Sequence, residues 1–229
     1  MKIKALLIGG IAASIMLTGA YAIYDGGGDR GKLLVDLLMR SMEKLHYQPQ
    51  AIDDAFSETV FEEYLEKVDA YKLFYTQENV SNLSRFQSRI DDELQNGTFE
   101  FFELSYNIFD RQRDLVAGYV DELTAKPFDF NRKEFYDGNV ENDEFAQDDQ
   151  ALKDRWRKEL KYRTLVRLAA AIERQEKAIE DGETDFDHKT EVEMEVEARE
   201  KVRDNYTKYI ERISKDDIND YRAEYLNAV

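Results

Sequence analysis

Apolar residues recur along this chain every three or four positions, the spacing that lines one face of an α-helix. Between Lys32 and Tyr47 they are Leu34, Leu37, Leu38, Met42 and Leu45, and Gln48, standing before Pro49, is pushed out of the helical region. From Ile52 to Val68 the stripe is Ile52, Phe56, Val60, Phe61, Tyr64, Leu65 and Val68, with Glu58, Glu62, Glu63, Glu66 and Lys67 on the other face. Thr76 is suited to cap a following helix whose stripe is Val80, Leu83, Phe86, Ile90 and Leu94, and Gly97 is suited to the left-handed position that closes it. A helix over Phe99–Leu123 follows, carrying Phe102, Tyr106, Phe109, Val116, Val120 and Leu123. Residues 125–149 break the period, and their Phe128, Phe130, Phe135 and Tyr136 predict a packed loop. A long helix over Gln150–Glu180 presents Leu152, Trp156, Leu160, Leu165, Leu168 and Ile172, and a more polar one covers Thr190–Ile213. "SKDD" at 214–217 has the spacing of a capping box, so the last helix is expected to start near Asp216.

No segment alternates with a period of two over a useful length. The expected fold is all-α, an irregular array of about seven helices without a tetratricopeptide-type repeat. The stretch "FSETVFEEYLEKVDAYKLFYTQENV" (Phe56–Val80) is expected to act as a joint between helices, packed through Phe56, Phe61, Tyr64, Val80 and Leu83 with Asp69 at the break.

Composition supports the helical reading: 42% hydrophobic, 35% charged and only two prolines in 229 residues. Fourteen Tyr and thirteen Phe argue for a packed core rather than disorder. The net charge of −17 disfavours nucleic acid as a partner, because phosphate is repelled. With no cysteine there is no disulfide, thiolate zinc site, cysteine nucleophile or acylated lipoprotein anchor.

The first 22 residues form a different kind of segment. Lys2 and Lys4 precede an apolar stretch from Ala5 to Leu17, and Ala20 and Ala22 make an A-x-A cleavage pattern. The reading is a signal peptide over 1–22, a glycine-rich lead-in over 23–31 and one helical domain over 32–229; an uncleaved inner-membrane anchor is the alternative. Either way the domain is expected to be exported to the periplasm. Cleavage after Ala22 removes two lysines and leaves −19, that is −17 minus 2.

Chemistry is hard to find. His46 and His188 are the only histidines; His46 sits at a helix end, where capping or packing accounts for it, and His188 lies in an acidic loop. No nucleophile elbow, phosphate loop or dinucleotide fingerprint is present. "DGETDFDHKTEVE" lacks the spacing of a calcium loop, and Glu191, Glu193, Glu195 and Glu197 would spread around a helix. No residue is assigned as catalytic, cofactor-binding or metal-binding, and no cofactor is implied. Trp156 reads as a core anchor. Its basic neighbours, Arg155, Arg157, Lys158, Lys161 and Arg163, read most simply as a solvated helix face, the other reading being a patch that meets acidic groups of the same molecule.

An ordered series of segments does carry information. "DDAFSETVFEEYLEKVDAYKLFYTQENVSNL" resembles the N-terminal helical domain of bacterial carboxy-terminal processing peptidases of the tail-specific protease type, which tend to show D-x-x-F-S-x-x-x-F-x-x-Y-L-x-x-L-D. Asp53, Phe56, Ser57, Phe61, Tyr64, Leu65 and Asp69 fall in step; Val68 replaces a leucine, Ala70 stands where proline is common, and Phe74–Tyr75 inverts the usual order. "HYQPQAID", "KPFDF", "LKDRWRKELKYRTLVRL" and "DDINDYRAEYLNAV" resemble further blocks of that domain in the same order, covering roughly 32–229.

The resemblance implies a helical wall or docking scaffold beside a protease. It implies a natural polypeptide that continues past Val229 into a PDZ domain and a Ser–Lys serine protease core, since the last helix, with Tyr221, Tyr225 and Leu226 on its stripe, has no glycine cap. The implied partners are those domains of the same polypeptide and protein substrates or an adaptor, with membrane contact only through an uncleaved N-terminal segment. No serine here matches the catalytic motif, so the segment alone is expected to be inactive. The alternatives are a standalone exported helical adaptor and an extracytoplasmic sensor domain.

Overall fold

The computed structural model describes residues 51–138, 144–183 and 187–229. The signal peptide expected over 1–22, the helix expected over Lys32–Tyr47, His46 and the break at Pro49 lie outside the described residues. Within them are seven α-helices: α1 (Asp54–Val68), α2 (Gln77–Leu83), α3 (Ile90–Asn96), α4 (Glu100–Thr124), α5 (Asp149–Glu180), α6 (Glu191–Ile213) and α7 (Ile218–Ala228). A short 3-10 turn, Ser84–Phe86, follows α2. The described residues form no sheet; the one isolated bridge pairs Thr76 with Ala146 in parallel. The all-α reading therefore holds.

Two boundaries differ from expectation. The helix expected to run unbroken from Thr76 to Leu94 is interrupted after Leu83. The Ser84 hydroxyl bonds back to the Ser81 carbonyl, competing with the helix, and Arg89 leaves helical geometry before α3 begins. Apolar spacing alone misses this, because Leu83 before the break and Phe86 and Ile90 after it are all buried. The capping box near the end also shifts. Ser214 is the C-cap of α6, and Asp217, not Ser214, caps α7, taking Asn219 and Asp220 N–H groups while the Asp220 side chain accepts the Asp217 N–H.

The described residues divide into two units by their contacts, 51–58 with Ser88–Glu100, and Thr59–Gln87 with the described part of Phe101–Val229. In the first, Ser57 and Asp91 make a reciprocal pair: the buried Ser57 hydroxyl donates to the Asp91 carboxylate at 2.6 Å and accepts the Asp91 N–H at 2.9 Å. α3 has Asp91, Asp92 and Glu93 in its first turn, where the helix dipole favours them. It ends at Gly97 with φ of 69°, the left-handed closure expected.

The second unit holds an aromatic core. Tyr64 of α1 meets Phe101 and Phe102 of α4 and Tyr225 of α7, edge-on to Tyr225 at 5.5 Å. A neighbouring cluster joins Phe74, Phe109, Trp156, Tyr206, Tyr209 and Tyr221. Edge and tilted contacts of this kind add to the burial of large apolar area. α6 runs back along α5, as Gln175 bonds Lys189 near one end and Glu159 bonds Tyr206 further along. Leu165, expected on the core stripe, is 44% exposed instead, because α5 outlasts the core and only its α6-facing side stays covered.

Candidate functional site

The best-defined local geometry in the second unit is the link between α1 and α2. α1 stops at Val68, and the buried Asp69 turns its carboxylate onto the chain ahead. It accepts the N–H groups of Leu73, Phe74 and Tyr75 at 2.8, 2.9 and 2.7 Å. Those are donors that a buried turn must otherwise leave unpaired. Lys72 takes a φ of 49°, a left-handed conformation that the clamp and its neighbours hold in place. Burial pushes the Asp69 carboxyl up to about 6, against the three N–H groups and the Arg155 charge, which favour the ionised form.

α5 grips the same link from its side. The Trp156 indole N–H donates to the Leu73 carbonyl at 2.7 Å, and Arg155 donates to the carbonyls of Lys72 and Glu144 at 3.0 and 2.6 Å. Trp156 is fully buried, the core anchor expected of it. Thr76 then caps α2 in a reciprocal box with Asn79, and the Gln77 N–H bonds the Ala146 carbonyl at 2.8 Å. The rings of Phe61 and Tyr64 meet Phe101 of α4 at 5.2 and 5.5 Å.

Beside this link lies a groove of about 540 Å³, with Tyr71, Leu73, Phe135, Tyr136, Phe145 and Lys158 among its walls. The aromatics of the 125–148 segment do not all pack as expected. Phe135 is 79% exposed, held outward because Glu134 and Tyr136 on either side are tied to α5.

The basic face of α5 is not a solvated one. Arg157 holds Glu134 through both terminal guanidinium nitrogens, at 3.0 and 2.5 Å, and Lys161 adds a third bond at 2.6 Å. The hydrogen bonds from Arg157, then Lys161, pull the Glu134 carboxyl down to about 2. Lys158 pairs with Asp154, and Arg163 with Glu159. Glu159 is buried, which alone would raise its carboxyl; bonds donated by Tyr136, Tyr206 and Arg163 outweigh that and lower it. The patch meets acidic groups of its own molecule.

These groups are committed to one another, and none forms a nucleophile–base pair. His188 is exposed. Among the described residues no three His, Cys, Asp or Glu side chains group as a metal site. Nor is any described helix long and apolar enough to cross a membrane. The arrangement can bind and position. Sequence reading missed Glu134 and Glu159, since one sits in an aperiodic segment and the other among many exposed carboxylates. The nearest signal was the cluster of basic residues around Trp156.

A family model described as the tail specific protease N-terminal domain matches residues 38–229. The ordered segments that carry the resemblance lie largely in that span, and so do all the helices of the described residues. On that match, most of the chain long, this protein belongs to the tail-specific protease N-terminal domain family.

Proposed function

We propose that this chain is the leading helical segment of an exported, periplasmic serine endopeptidase that trims or degrades proteins from their C-terminal tails. In this reading the segment is a wall and docking scaffold, and the PDZ domain and Ser–Lys dyad belong to later parts of the same polypeptide. The observation that carries the reading is the family match over residues 38–229. The aromatic core is consistent with it: a wall beside a protease must stay folded while unfolded substrates pass, and interlocked Tyr, Phe and Trp side chains resist local opening.

The test is cleavage of a reporter protein bearing an unstructured C-terminal tail. The 229-residue chain alone is expected to leave the reporter intact, and the product of the full genomic reading frame to degrade it. A stop codon directly after Val229 in the genome, or tail cleavage by the chain itself, would overturn the proposal. Export is checked separately, by N-terminal sequencing of periplasmic material, with Ile23 expected as the first residue.

A further inference from the structure

Carboxylates held largely out of solvent pair with cations at several places in the second unit, but in one of them the carboxylate arrives on an irregular segment. Glu195 and Arg199 both belong to α6, and Glu159 and Arg163 to α5, so in each pair both partners ride on one helix and their separation frees no segment. Glu134 is different. It lies in the link between α4 and α5, and its neighbours Lys133, Phe135, Asp137 and Gly138 are all exposed. The segment around it buries little of its own, so the polar ties at Glu134 and Tyr136 carry much of its attachment.

The receiving side is built on one helix face. Arg157 and Lys161 are one turn apart on α5, with side chains 19% and 11% exposed. Asp154 steadies the Arg157 guanidinium at 2.9 Å, and the Arg132 carbonyl lies 3.4 Å from the Lys161 ammonium. A planar guanidinium engaging both oxygens, plus an ammonium on one of them, is a general solution for binding a carboxylate. Lys158 and Arg163 nearby are offset by their own partners, Asp154 and Glu159, so Arg157 and Lys161 are the cations committed to Glu134 from α5.

We propose that the Arg157–Lys161 pair is a carboxylate-binding site that Glu134 fills as an internal ligand, and that a carboxylate-bearing polypeptide segment competes for it. Displacement frees residues 132–135 from α5 and leaves the helices intact, while Tyr136 stays tied to Glu159 and Tyr162. The groove beside Phe135 and Tyr136 then offers apolar wall to the incoming segment. The inference stands apart from the protease reading, because it uses only groups of this chain.

Calorimetric titration of the 229-residue chain tests it, using a short unstructured peptide with a free C-terminal carboxylate, the same peptide amidated, and an amidated peptide with internal Asp and Glu. A tethered competitor acts at a high effective concentration, so Glu134→Ala is expected to bind carboxylate-bearing peptides about tenfold or more tighter than the wild type. Glu134→Gln keeps the side chain's shape and is expected to give the same direction should the alanine variant not fold. Adding Lys161→Met or Arg157→Gln is expected to abolish the gain. Gain with the free-acid peptide alone assigns the site to chain termini, and gain with the internal-acid peptide extends it to side chains. Failure of both Glu134 variants to bind more tightly overturns the proposal. So does an equal gain for the neutral amidated peptide, or a gain that survives loss of both cations. In the wild type, added peptide is expected to speed amide exchange over 132–135 and leave α5 unchanged.

Discussion

Asp69 shows how one side chain fixes a chain path. Its carboxylate satisfies three successive N–H groups that the turn after α1 would otherwise bury unpaired. Asp69→Ala strands those donors, and urea denaturation near pH 5 is expected to show a loss of about 2–4 kcal/mol. The pH dependence follows from the raised carboxyl. With a folded value of about 6 against 3.8 for the free group, the folded state holds the proton more tightly between those values. The group's contribution is therefore greatest below about pH 4 and declines as pH rises through 6. The gap between wild type and Asp69→Ala is expected to narrow from about pH 4.5 to about pH 7.5; a widening gap contradicts the assignment. Glu134 has the opposite sign. Its depressed carboxyl contributes above the ordinary glutamate range, and the contribution fades as pH falls through about 2.

Among the elements, the helix starts are encoded locally. Thr76, Thr190 and Asp217 each cap a helix, and each has its reciprocal partner three residues on: Asn79, Glu193 and Asp220. Thr190→Ala is expected to cost about 1 kcal/mol, read as a lowered midpoint in thermal denaturation followed by far-UV circular dichroism. Both halves of that box lie within Thr190–Glu193, so the loss stays local to the start of α6. Such local rules explain why the helices at 54–68, 100–124, 149–180 and 191–213 were legible from apolar spacing to within two residues. The break after Leu83 was not legible, because the same apolar period runs through it while a serine side chain ends the helix. Nor was the Glu134 tie, which joins an aperiodic segment to a distant helix and leaves no mark in local pattern. The basic cluster at 155–163 could be seen, but not whether water or carboxylates faced it.

Across the second unit, α7 is the last element to enter the core and one of the most consequential. Tyr225 is fully buried against Tyr64, Phe101 and Phe102, and Tyr221 meets Tyr106 and Phe109. A chain ended at Ser214 loses both rings and opens cavities between α1 and α4. Calorimetry is expected to show a broadened transition at lower temperature, with a loss well above that of any single cap. A sharp, unshifted transition would mean that α7 only rests on the surface. The exposed apolar residues Leu165, Val166 and Ile179 of α5 lie outside this core, so their substitution by polar residues is expected to leave the melt nearly unchanged.

Trp156 is the only tryptophan beside fourteen tyrosines. Its indole nitrogen is bonded to Leu73, its ring abuts Phe74 and Tyr206, and so it sits where the α1–α2 link, α5 and α6 converge. Excited at the red edge of its absorption, it is a single-site optical probe supplied by the chain itself. Its emission is expected to shift when that convergence loosens, and no label need be introduced.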